Sequence, residues 1–264
     1  MLRTITTKTL RDGRRGLLWW ALGLGGLTLV TVATYPAVRD MPGLEDLLEG
    51  LPEALLALIG ESDLLSPEGY LNSQLFGAIV PILFLFYGVA AGAGAIAGEE
   101  ENRTLDLLLA NPVSRTRVLL EKALAMIIGV ALLGVILWLA TYLPALAVDM
   151  DLDPMRLVAV IASACLFGFF MGAFALMVGA ATGSRGLSIG LGAALGVAAY
   201  LVNSLAPLVD SLESLQKLSP FFYYYDADPL RNGLDPVHAA VLGVGGLIFV
   251  VIAVFGFRRR DVGV

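Results

Sequence analysis

The chain has a single cysteine, Cys165, and a single histidine, His238, and only 15% of its residues are charged. One cysteine excludes a disulfide framework and a thiolate metal site within one chain. One histidine, at the edge of an apolar run, reads as an interfacial residue rather than as a ligand or base. There is no G-x-x-x-x-G-K-[ST] phosphate loop and no G-x-S-x-G nucleophile elbow, so neither the usual ATP site nor a serine hydrolase is indicated. No linker of low complexity, soluble domain or internal repeat interrupts the pattern. Charge is also missing in particular places. Six long apolar runs hold no Asp, Glu, Lys or Arg at all, whereas proton- and ion-coupled carriers usually place ionisable groups at depth.

What is present is hydrophobic: 58% of 264 residues, with a mean hydropathy of +0.82. Apolar runs of twenty or more residues predict membrane-spanning helices, here over 17–38, 71–97, 123–148, 157–183, 187–209 and 237–257. The expected fold is therefore an all-α integral membrane bundle of six transmembrane helices forming one domain over 1–264. Residues 1–16 carry Arg3, Lys8, Arg11, Arg14 and Arg15 with a modest apolar face (Leu2, Ile5, Leu10), as an interfacial helix does. The first span opens with Trp19 and Trp20 and has no small-x-small cleavage site after it, which reads as an uncleaved anchor. Two sizeable loops are expected opposite the N-terminus. The first, 39–70, includes an amphipathic surface helix built on Leu47, Leu48, Leu51, Leu55, Leu56 and Ile59. The second, 210–236, holds the aromatic cluster Phe221 to Tyr225, read as an anchor in the outer leaflet. A short acidic turn, 149–156, lies on the same side.

Charge then orients the bundle. Thirteen Lys and Arg fall in the segments on the N-terminal side and four (Arg39, Arg156, Lys217, Arg231) on the other, while the acids divide seven to sixteen. By the positive-inside rule both termini are expected in the cytoplasm, and the net charge of −6 follows from the acidic outer loops. Pairs of small residues four apart recur: Gly88/Gly92, Gly94/Gly98, Gly168/Gly172, Gly179/Gly183, Gly186/Gly190 and Gly192/Gly196. They suit close packing of helices within the chain. Tyr200, Asn203 and Ser204 in the fifth span read as packing or interfacial residues, with a pathway lining as the sharper alternative.

The most informative stretch is 98–122, GEEENRTLDLLLANPVSRTRVLLEK. Thr104 is placed to cap a helical turn with Leu105, Leu108 and Leu109 on one face. Asn111-Pro112 stops that turn, because proline lacks an amide hydrogen and restricts the residue before it. Ser114 is placed to cap a helix that carries Arg115, Arg117 and Lys122 back towards the bilayer. Glu99, Glu100 and Glu101 read either as a solvated helix start or, with Arg103, Arg115 and Arg117, as a face for a docking partner.

This stretch resembles the cytoplasmic loop of ABC-2 type permeases, the membrane subunits of a large group of ABC exporters. The matching positions are Glu99 to Glu101, Thr104-Leu105, Leu107 to Leu109, Pro112, Ser114-Arg115 and Lys122. Arg103 departs from the glycine that often precedes the threonine. The phrases SPFFYYYDADPLRNGLD and FRRRDV are similar to the ends of such permeases. The resemblance implies a non-enzymatic permease of an ATP-driven exporter, in a prokaryotic inner or plasma membrane. It would pair with a second permease, often an identical copy, and with two copies of an ABC ATPase that bind the ATP and magnesium. No nucleic acid is implied. Glu99, Glu100, Glu101, Arg103, Thr104, Leu105, Leu108, Pro112, Ser114, Arg115 and Arg117 would form the coupling helix, and parts of the second and fifth spans (75–89 and 187–204) would line the path. The cargo would be hydrophobic or amphiphilic. The rival classes are a stand-alone carrier or channel and a membrane scaffold that recruits a soluble partner through the same loop.

Overall fold

The computed structural model describes residues 4–41, 66–110, 113–206 and 214–260. The amphipathic helix expected around Leu47 to Ile59, the Asn111-Pro112 break, and the end of the fifth span beyond residue 206 lie outside the described residues.

Helix starts follow a repeated local grammar. A serine or aspartate accepts a hydrogen bond from a first-turn amide while proline occupies the first helical position, where its missing N–H is no loss. Ser66 opens α3 (Pro67–Leu71), Asp153 opens α8 (Pro154–Thr182), Ser219 opens α10 (Pro220–Tyr225) and Asp235 opens α12 (Pro236–Arg259). On the opposite side serine caps without proline: Ser114 before α7 (Arg115–Ala147) and Ser184 before α9 (Arg185–Leu205). The remaining helices are α1 (Ile5–Asp12), α2 (Arg14–Arg39), α4 (Ile79–Ala95), α5 (Ala97–Glu101), α6 (Leu105–Leu109) and α11 (Pro229–Asn232).

Six of the described segments are long and apolar enough to cross a membrane: Ile5–Arg39, Pro67–Ala95, Arg115–Ala147, Pro154–Thr182, Arg185–Leu205 and Pro236–Arg259. Their number agrees with the sequence reading, and their ends shift by a few residues. The largest shifts are at the first span, which α1 extends back to Ile5, and at the third, where the helix capped by Ser114 runs unbroken from Arg115 into the span as one 33-residue helix. The second span is not one rod. A π-helical turn, Asn72–Phe76, and the non-helical Ala78 (φ −141°) divide α3 from α4. The basic segment 1–16 is helical from Ile5 to Asp12, and Gly13 joins it to α2. Glu121 of α7 accepts hydrogen bonds from the backbone amides of Ile5 and Thr6, so a carboxylate caps α1 from another element.

Helix α8 is the centre, packed on α4, α12, α7 and α9. The closest approach is between α4 and α8. A Cβ placed on Gly88 would lie 2.2 Å from the carbonyl oxygen of Gly168, and one on Gly92 would lie 2.0 Å from that of Gly172. In lipid no hydrophobic force draws helices together, so this backbone-to-backbone contact supplies the dispersion that does. Gly192 and Gly196 likewise seat Val89 and Leu85 of α4 against α9. Gly94, Gly186 and Gly190 face open space, so the Gly94/Gly98 and Gly186/Gly190 pairs do not pack helices within this chain.

The aromatic cluster corrects the sequence reading. Phe221 and Tyr224 are buried in the core rather than spread along an interface. The Tyr224 hydroxyl donates to the Phe76 carbonyl at 2.9 Å, satisfying the one polar atom that burial would otherwise strand. Phe167 packs against Phe221 with centroids 4.6 Å apart and the rings tilted by 57°. Phe222, Tyr223 and Tyr225 stay half-buried, the first two flanking His238 at 5.5 and 5.3 Å. The run FFYYY is thus a helical plug that closes the end of the bundle opposite the 98–114 loop.

Candidate coupling site

Helix α5 sets three carboxylates in consecutive positions, and successive helical residues point about 100° apart. Glu99, Glu100 and Glu101 therefore diverge, and each meets a cation on a different element. Glu99 pairs with Lys122 of α7, Glu100 with Arg260 just past α12, and Glu101 with Arg185 of α9 at 3.7 Å. None of the three pairs with Arg103, Arg115 or Arg117. Arg260 also donates to the carbonyl oxygen of Ala180 at 3.3 Å, near the end of α8.

The remaining loop residues lock this arrangement. Thr104 precedes α6 but does not cap it by accepting an amide. Its hydroxyl donates instead to the Glu99 carboxylate and to the Glu99 carbonyl oxygen at 3.1 Å. Arg103 occupies the left-handed region at φ 56°, where a side chain is disfavoured and glycine is not, which gives the departure at this position a structural meaning. Leu105 is buried with Ile96, Val118 and Leu119, and Leu108 is buried as well. Ser114 caps α7 as expected, accepting from the Arg117 amide at 3.3 Å. Arg115 turns inward, donating to the carbonyl oxygens of Phe257 and Arg260 with its guanidinium over the Phe257 ring. Arg117 bonds Glu121 at 2.9 Å, one turn away on the surface. Pro112 lies outside the described residues.

Lys122 is only 5% exposed and Glu99 19%, so this pair is shielded from solvent while Glu101 and Arg185 are not. Burial alone would raise the Glu99 carboxyl, but the hydrogen bonds from Lys122 and Thr104, with the Lys122 and Lys8 charges, hold it below the usual carboxylate range. Among its described residues the loop leaves Glu101, Asn102, Arg103, Asp106, Ala110, Ser114 and Arg117 to solvent. The site is thus a short helical segment clamped to the ends of α7, α9 and α12, with a small charged surface turned outward.

At the other end of the bundle a cavity of about 510 Å³ is lined by Asn72, Ser73, Tyr225, Asp228 and Arg231 among others. Asn72 donates to Asp228 at 3.0 Å across it. Tyr200, Asn203 and Ser204 do not converge there. Tyr200 packs edge-on against Phe221 at 5.5 Å, Asn203 is half-buried, and Ser204 lies exposed on α9. The clamp itself was missed from sequence. Arg260 and Arg185 were read only as flanking charge, although an unbroken acidic triplet facing three basic helix ends was the available signal.

Six apolar helices around a glycine-packed centre, with a tied loop between the second and third, define a multi-pass membrane protein. A family model described as ABC-2 family transporter protein matches residues 3–262, and the chain belongs to that family. Its members are the membrane subunits of ABC transporters, working with an ATPase partner. No curated protein matches the chain.

Proposed function

We propose that this chain is the permease subunit of an ATP-driven ABC-2 exporter, with 98–114 as the element that receives motion from two copies of a separate ATPase. In this reading the basic side and both termini are cytoplasmic. The ATPases hold ATP and magnesium. Two permeases, most simply identical copies, enclose a path for a hydrophobic or amphiphilic cargo between them.

The observation that carries the proposal is the clamp. A soluble partner pressing on Arg103 and Asp106 would move a segment tied by Glu99, Glu100 and Glu101 to α7, α12 and α9. Displacement at one point would therefore reach three spans, and through Arg260 the end of α8 as well. Packed helices with close backbone contacts shift as rigid bodies, which suits alternation between inward- and outward-open states.

The test is co-purification of the tagged chain from its native membrane in mild detergent, with wild type beside an Arg103→Glu/Asp106→Lys variant. That double reversal alters the outward surface and leaves all three ion pairs in place. A stoichiometric phosphate-loop ATPase held by the wild type and released by the variant is the expected result. An ATPase retained equally by both, or a chain recovered alone, refutes the assignment of the loop.

A further inference from the structure

A cleft runs along the basic side between the α1–α2 hairpin and the α4–α7–α9 wall. It is made of two adjoining cavities of about 370 and 360 Å³ that share Gly94 and Arg185. The deeper part is mainly apolar: Leu17, Trp20, Tyr87, Ala91 and Met126 line it together with Lys122 and Arg185, and Trp20 meets Tyr87 edge-on at 5.8 Å. The shallower part is charged. Lys8 and Arg185 line it with Asp12 and Glu99, and Arg11, Arg14 and Arg15 border a third depression alongside Asp12. Lys122 is taken up by Glu99, whereas Arg185 meets the exposed Glu101 only at 3.7 Å and stays open to a second anion, and Lys8 and the three α1–α2 arginines are in excess over Asp12. Gly94 opens directly onto the space, with nothing within 4 Å of a Cβ placed there.

We propose that this cleft binds one anionic phospholipid, its phosphate against Lys8 and Arg185 and an acyl chain laid along Leu17, Trp20, Tyr87 and Gly94. The match is one of order as well as sign. Excess positive charge sits at the end of the spans, where headgroups lie, and the apolar channel extends from it towards the membrane centre. A water-soluble anion would use only the first half of the site, and a neutral lipid only the second. The inference needs the chain to be embedded in a bilayer and nothing of the transport reading.

Trp20 reports on the site directly. A Trp19→Phe/Trp138→Phe chain, which keeps Trp20 as its one tryptophan, is reconstituted in vesicles of phosphatidylcholine and phosphatidylglycerol, with one or the other lipid brominated. Quenching of Trp20 then gives the relative affinity of the cleft for the two lipids. Brominated phosphatidylglycerol is expected to quench more strongly, and Lys8→Gln/Arg185→Gln to reduce the preference by about five-fold for each cation removed. Gly94→Leu, whose Cβ has nothing within 4 Å and whose side chain extends into the channel, is expected to lower quenching by both lipids. Inorganic phosphate in the buffer should displace nothing. Equal quenching by the two lipids, a preference that survives the charge removal, quenching unchanged by Gly94→Leu, or displacement by phosphate would each overturn the proposal.

Discussion

Replacing Lys122 by methionine removes a cation that is 5% exposed and leaves the Glu99 carboxylate, 19% exposed, with the Thr104 hydroxyl as its remaining close partner. Breaking a buried pair from one side costs about 3–5 kcal/mol, because the surviving charge stays out of water without compensation. Glu99 keeps some solvent and the nearby Lys8, so Lys122→Met should lie below that range, at about 2–3 kcal/mol. Glu99→Gln strands the more buried member and should be the worse of the two. Replacing both, as Glu99→Gln/Lys122→Met, removes the charges together and should recover to within about 1 kcal/mol of wild type. The cycle therefore predicts a coupling energy of at least about 3 kcal/mol, roughly 150-fold in the folding equilibrium. Reversible unfolding in mixed micelles by titration with a denaturing detergent, followed by tryptophan fluorescence, measures each corner. A Lys122→Met protein within about 0.5 kcal/mol of wild type, or a double variant no better than the singles, would refute the claim that this pair is shielded.

Four further outcomes are expected. Gly92→Ala should destabilise by about 1–3 kcal/mol in the same assay, since its Cβ would meet backbone of Gly172 at 2.0 Å, while Gly94→Ala should be neutral or gain up to about 1 kcal/mol. Arg103→Gly should stay within about 1 kcal/mol of wild type, because relief of the left-handed backbone is offset by a freer unfolded chain, whereas Arg103→Val should lose about 1 kcal/mol or more; equal stability of both would contradict φ 56° at this position. The Glu99 carboxyl is held below its ordinary value, so the stability it contributes is present above the usual carboxylate range and is lost as pH falls through the lowered one; an acid titration of the unfolding midpoint should lose this component in Glu99→Gln. Gly183→Ala imposes a side chain at φ 70° and places its Cβ 2.7–2.8 Å from Arg260 and Glu100, so it should cost about 1 kcal/mol and lower the coupling energy measured for that pair; an unchanged Glu100–Arg260 coupling would count against the clamp.

Most of the architecture was legible because its causes are local. A run of apolar residues long enough to cross a bilayer needs no partner to declare itself, nor does a serine or aspartate followed by proline at a helix start. Six spans and the loop between the second and third followed from those signals. The boundaries moved where a helix simply continued, as at Arg115 to Lys122, since charged residues at the end of a span do not stop a helix that is capped earlier by Ser114. The aromatic run misled for a related reason. Five consecutive rings satisfy the composition of an interfacial belt, but Ser219-Pro220 starts a helix there, and helical spacing turns Phe221 and Tyr224 together towards Phe167.

The clamp was not legible, because it depends on register between elements far apart in the chain. Lys122 is 23 residues from Glu99, and Arg260 is 160 from Glu100. Nothing local chooses Arg260 over Arg115 as the partner of Glu100. The choice is made by α8, whose glycine contacts fix how close α4 comes, and by Phe257, buried under the loop so that the end of α12 meets α5. Arg115 is then committed to the carbonyl oxygens at the end of α12, where a cation complements the unpaired backbone acceptors of a helix terminus. The acids and cations of the loop were visible as a set, and packing between the spans distributes them into pairs. A change in that packing is accordingly a change in the loop, and the reverse holds by the same contacts.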